Sequence, residues 1–131
     1  MNAVPVPRFL SAEIAMAVHD RQLAEHGGLA GVKDAGLLES AIARPLNKHG
    51  YGETDLCALA ASYAFGIARN HPFADGNKRT AWVMARLFLK LNAIELSFDK
   101  ADATRTMIAL AAGNLSEEHL AAWFRARVVA A

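Results

Sequence analysis

A chain of 131 residues holds one ordinary domain and can bury roughly two-thirds of its unfolded surface. Its 14 basic and 13 acidic side chains leave a formal charge of +1, which argues against a general nucleic-acid binder. The single cysteine, Cys57, excludes an internal disulfide and a cysteine-based zinc cluster. One domain over residues 1–131, all-α and cytoplasmic, is the expectation. A lone thiol suits a reducing compartment, and the N-terminus "MNAVPVPRFL" has no signal-peptide pattern. The longest uncharged run, the 13 residues from Leu56 to Ala68, is too short for a bilayer, so no membrane partner is expected.

In chain order, Ser11 is placed to cap a first helix carrying Ile14, Val18 and Leu23, which stops at Gly27-Gly28. Asp34 caps a shorter second helix through Leu37, Leu38, Ala41 and Ile42 that Pro45 is expected to end. The segment "RPLNKHGYGET", 44 to 54, then reads as a long connection, either a plain surface loop or a binding loop. Asp55 starts a third helix with Leu56, Leu59, Ala60, Tyr63 and Ile67 at helical spacing. A fourth runs from Asn77 to about Asn92. It is apolar nearly all round, which predicts a buried central helix. "AIELSF", 93 to 98, reads as a short extended piece. Asp99 and Ser116 cap two closing helices, the last carrying Leu120, Trp123, Phe124 and Val128. Long helical patterns and no strand ladder predict a compact all-α bundle.

The stretch "HPFADGNKRTAW", 71 to 82, breaks a rule of helix electrostatics. Lys78 and Arg79 fall in the first turn of the fourth helix, where cations oppose the macrodipole at roughly 0.3–1 kcal/mol each. An anionic ligand removes the conflict. Exposed N–H groups at the helix start, Gly76 allowing close backbone approach, Asn77, and the two cationic side chains make a phosphate cradle. Asp75 beside it suits Mg²⁺, which takes one or two carboxylates plus phosphate oxygens and water. His71 supplies an imidazole, the side chain that exchanges a proton near neutral pH, as general base for a hydroxyl.

Singly, each has a bland reading. His71 could be a structural loop histidine, Asp75 or Asn77 a plain cap, and Lys78 and Arg79 solvated charges. Together, base, metal ligand and cradle within nine residues favour the functional reading. His19, His26, His49 and His119 show no ligand spacing and read as ordinary helix or loop histidines, Cys57 as a small buried apolar residue, and Phe73 as an anchor of the loop.

"HPFADGNKRTA" resembles the Fic/Doc family signature H-x-F-x-[DN]-[AG]-N-[GK]-R, and the likeness extends through "GGLAGVKDAGLLESAIARP" and "LFLKLNAIELSF" to cover roughly residues 8–128. The resemblance implies an all-helical fold with a flap loop, matched to 44–54, along which a target segment docks as an added strand. It implies that His71 activates the target hydroxyl, Asp75 holds Mg²⁺, and Gly76, Asn77, Lys78 and Arg79 bind phosphates of ATP, the co-substrate. Fic-type members transfer AMP or another nucleotide moiety to a protein hydroxyl. Doc-type members have lysine where Fic has glycine and phosphorylate a threonine of elongation factor Tu, halting translation. Lys78 resembles Doc, whereas Pro72 and Gly76 look more like Fic. No serine or threonine is followed four residues on by glutamate, so the self-inhibitory [ST]-x-x-x-E-[GN] motif of many Fic proteins is missing. The resemblance therefore implies a type II toxin with a separate Phd-like antitoxin and no direct nucleic-acid contact. The competing readings are nucleotide transfer and a catalytically weak binding module that acts as an antitoxin corepressor.

Overall fold

The computed structural model describes residues 6–130. Six helices run in the order α1 (Ala12–His26), α2 (Ala35–Gly50), α3 (Leu56–Asn70), α4 (Asn77–Leu91), α5 (Lys100–Ala111) and α6 (Glu117–Arg125). Strand β1 (Glu95–Leu96) follows α4 and pairs antiparallel with β2 (Val128–Ala130), opposite Glu95↔Ala130 and Leu96↔Val128. The fold is all-α, with this one small sheet. Val128 thus leaves the last helix and joins the extended "AIELSF" segment. No helix among the described residues is long and apolar enough to cross a membrane.

The expected caps are in place. Ser11, Asp34, Asp55, Asp99 and Ser116 each accept a hydrogen bond from a backbone N–H of the first turn they open. Two expectations are corrected. The buried central helix is α3, with eleven of its fifteen residues buried, whereas α4 buries six of fifteen and keeps Lys78, Arg79, Arg86 and Lys90 in water. Small side chains explain the difference. Ala58, Ala60, Ala61, Ala64 and Ala68 let α2, α4, α5 and α6 all pack on α3. At Gly66 a Cβ would lie 3.1 Å from the Cα of Ala41, so α2 and α3 touch there backbone to backbone.

The second correction concerns Pro45, which lies inside α2 and does not end it. An interior proline removes one helix hydrogen bond at a cost of about 3 kcal/mol or more. Here its ring is buried, and the flanking turns carry Arg44 and Lys48, which both bond the buried carboxylate of Glu117 at the start of α6. Packing and the shared ion pair carry the helix on to Gly50, so only residues 51–54 of the supposed 44–54 loop are non-helical.

The chain before α1 is tied across the core. The Tyr63 hydroxyl accepts from the N–H of Leu10 at 2.8 Å and donates to its carbonyl at 3.1 Å, with both residues buried. The Asn92 amide brackets Arg8 in the same way, at 2.8 and 3.0 Å. Removing the hydroxyl leaves two buried backbone groups unpaired, so Tyr63→Phe is expected to cost about 1–3 kcal/mol in urea unfolding.

Burial pushes the Tyr63 phenol up from 10.0 to about 12 against the opposing Leu10 bond. Burial likewise pushes the Cys57 thiol from 9.0 to about 11, with the Asp55 carboxylate adding and Arg125 opposing. Both hold their protons more tightly folded than unfolded. Their stabilisation is complete below pH 9 and is lost as pH rises through about 12. Urea midpoints measured across that window should fall, and Cys57→Ala with Tyr63→Phe should flatten the fall.

Candidate active site

The loop 71–76 joins the C-terminus of α3 to the N-terminus of α4. His71 ends α3 in the left-handed conformation, φ 50° and ψ 55°, with its N–H on the carbonyl of Ile67. Such geometry costs a non-glycine residue roughly 1–2 kcal/mol. It turns the chain sharply and leaves the His71 side chain exposed. Pro72 and Phe73 then dive into the core, and Asp75 returns to the surface.

Segment 27–34 runs alongside this loop. The N–H groups of Lys33 and Asp34 donate to the carbonyl of Pro72, Ala74 donates to Gly31, and Val32 and Phe73 form an isolated antiparallel bridge. The strip beside the site is therefore 27–34 and not 44–54. Residues 51–55 sit at the opposite end of α3 from His71, and fifteen helical residues span about 22 Å. Gly27 and Gly28 read as a helix stop, which hid the fact that the backbone following them is an edge for the loop.

Asn77 does not cap α4. Its side-chain oxygen accepts from the N–H of Phe73 at 2.9 Å and its nitrogen donates to the Phe73 carbonyl at 3.0 Å, clamping the loop back on itself. Asp75 is held at both oxygens: one accepts from Gly76 N–H at 2.8 Å, the other from Leu29 N–H at 3.3 Å. Gly28, at φ +122°, makes this possible, because a Cβ there would stand 2.7 Å from the Asp75 carboxylate. The residue that sequence reasoning missed is His19. Only 1% exposed, it stacks on Phe73 at 3.9 Å and 6° between planes, and its Nε2 lies 2.7 Å from the carbonyl of Asp75. The available signal was its spacing: His19 follows Ala15 by four residues, and these two are the buried positions of α1.

Helix α4 opens differently from the other five. Its N-cap is Gly76, left-handed at φ 73°, with no side-chain cap. Among the described residues, the N–H groups of Asn77, Lys78 and Arg79 have no hydrogen-bond partner, and neither Lys78 nor Arg79 is in an ion pair. Unsatisfied donors and two exposed cations converge at one end of a dipole, which is the electrostatics of an anion site. A groove of about 490 Å³ continues from it, walled by Lys78, Arg79, Arg86 and Lys100 over Trp82 and Phe98. The structure thus brings Asp75, Gly76, Lys78 and Arg79 to one helix start, with His71 at the far end of the same loop and Asn77 holding the turn.

A model of the Fic/DOC family matches residues 9–89. The chain belongs to the Fic/DOC family. It is similar to Protein kinase doc of Escherichia phage P1, with 37% identity over 115 residues that cover 87% of this chain and 90% of the phage protein. It is also similar to Toxin Doc of Mycolicibacterium smegmatis, with 45% identity over 76 residues covering 56% and 58% of the two chains. The Fic/DOC match includes α1, α2, α3 and nearly all of α4, so the loop, the 27–34 strip and His19 all lie inside it. In this Fic/DOC chain Asn77 links the motif to its own turn. Asn77→Ala is expected to lower stability by about 1–3 kcal/mol in urea unfolding, since two backbone groups of the buried Phe73 lose their partner.

Proposed function

We propose that this Fic/DOC member is the toxin of a type II toxin-antitoxin pair and acts as a protein kinase. In this reading it moves the γ-phosphoryl group of ATP to a threonine hydroxyl of elongation factor Tu and so blocks translation. The observation that carries the reading is the uncapped, doubly cationic start of α4 beside the Asp75 carboxylate. Lys78 fills the slot that separates kinase-like from nucleotide-transferring members, and the phage relative is named a protein kinase.

The target hydroxyl is delivered to His71, with the target chain lying along 27–34, where Leu29 is 69% exposed. His71 accepts the hydroxyl proton as the oxygen attacks the γ-phosphorus. The bond from that phosphorus to the β–γ bridging oxygen breaks, and ADP leaves. The N–H groups and side chains of Lys78 and Arg79 take up phosphate charge, and Gly76 offers no side chain to obstruct it. The cationic groove over Trp82 and Phe98 suits the rest of a nucleotide.

Among the described residues no three His, Cys, Asp or Glu side chains converge as a metal cage. A single exposed carboxylate, Asp75, fits Mg²⁺, which keeps waters and takes phosphate oxygens, better than zinc, which wants three or four protein ligands. Bound there, Mg²⁺ would neutralise charge on the transferred group. The partner that silences the enzyme is a separate Phd-like antitoxin, since the chain lacks the self-inhibitory motif.

Purified protein incubated with Mg²⁺ and bacterial lysate tests this, using ATP labelled at either the α- or the γ-phosphate. Label from γ alone, in a band of the elongation factor's mass, is expected, with His71→Ala slowing transfer by about 10²–10⁴-fold. Label from α would make the chain a nucleotide transferase, and full activity in His71→Ala would remove the base.

A further inference from the structure

We infer that His19, far from the motif in sequence, is a positioning residue that aims the Asp75 carboxylate, an inference that rests on the proposed function. Three contacts converge on one ring. Its face lies on Phe73, its Nε2 meets the carbonyl of Asp75 at 2.7 Å, and Gly76 sits over its edge, where a Cβ would be 3.8 Å from Nε2. A carbonyl only accepts, so Nε2 carries the hydrogen.

The consequence follows from peptide planarity. The Asp75 carbonyl and the Gly76 N–H belong to one trans peptide, whose two groups point in opposite directions. Drawing the carbonyl inward to His19 turns the Gly76 N–H outward, where it meets Asp75 Oδ1 at 2.8 Å. The other oxygen is then set against Leu29 N–H. One buried imidazole on α1 thereby fixes both the peptide at the helix start and the carboxylate beside it. Stacking on Phe73 holds the ring in the plane that this bond needs. The bare Gly28 leaves the carboxylate its space. Groups that orient a metal-binding side chain typically govern affinity or activity by roughly 10–100-fold.

Two variants separate the hydrogen bond from the packing. His19→Phe keeps an aromatic ring against Phe73 and loses the donor. His19→Gln carries an amide nitrogen at the same number of bonds from Cα and restores it. In the ligand-free full-length protein, His19→Phe should move the Gly76 backbone amide resonance and speed its hydrogen exchange, and His19→Gln should return both toward wild type. In titrations, His19→Phe should bind ATP with Mg²⁺ roughly 10–100-fold more weakly. ATP in excess EDTA should bind as in wild type, because the donors of α4 are untouched. An unmoved Gly76 resonance in His19→Phe would overturn the inference. So would an equal loss of binding with and without Mg²⁺ accompanied by a lower melting temperature, the mark of a purely structural residue. Should the wild type itself not bind ATP, the proposed function fails, and the Gly76 resonance alone still decides whether His19 sets the peptide.

Discussion

A six-residue turn between two packed helices decides where every polar group of the site points, and Phe73 holds that turn still. Its ring is fully buried under His19, its N–H and carbonyl are both taken by Asn77, and it bridges to Val32. With Phe73 fixed, His71 on one side and Asp75 on the other have little freedom left. The hydrophobic core thus sets the polar geometry. A site built on a loop gains the precision of a helix because one aromatic side chain carries the loop into the interior.

The electrostatic pattern is the complement of this. Five helices close their first turns with serine or aspartate, each of which takes up one of the free first-turn donors. The sixth, α4, keeps its donors unused and adds two cations where they destabilise. A side-chain cap is typically worth about 1 kcal/mol. Leaving one out at the single helix start next to the motif exchanges stability for a place where negative charge is welcome. The tight anchoring of Phe73 and the ties from Tyr63 and Asn92 to residues 8–10 offset that loss elsewhere in the fold.

Local features were legible in the sequence and long-range ones were not. The five capped starts depend on one side chain and the next three residues, and all were readable. Pro45 misled because local chemistry says that it breaks a helix, while the buried ring and the distant Glu117, 73 residues beyond Arg44, hold the helix together. The centrality of α3 was hidden by alanine, whose modest hydropathy hides how closely helices can approach it. The site motif was readable because its chemistry is contiguous, from His71 to Arg79. Its supports were not: His19 lies 56 residues before the carbonyl that it holds, and 27–34 reads as a glycine-rich break until it is seen beside Phe73. Asn77 was read as part of the cradle or as a cap, whereas its side-chain amide faces Phe73 of its own loop, a contact that local sequence does not announce.

The chemistry of the site depends on the start of α4 binding an anion. Titration of the isotopically labelled protein with inorganic phosphate, followed by the backbone amide resonances, tests that most directly. Saturable shifts concentrated at Asn77, Lys78 and Arg79 are expected, removed by high salt, with the capped starts of the other five helices unmoved. Shifts spread evenly over exposed lysines and arginines, or none at α4, would contradict it.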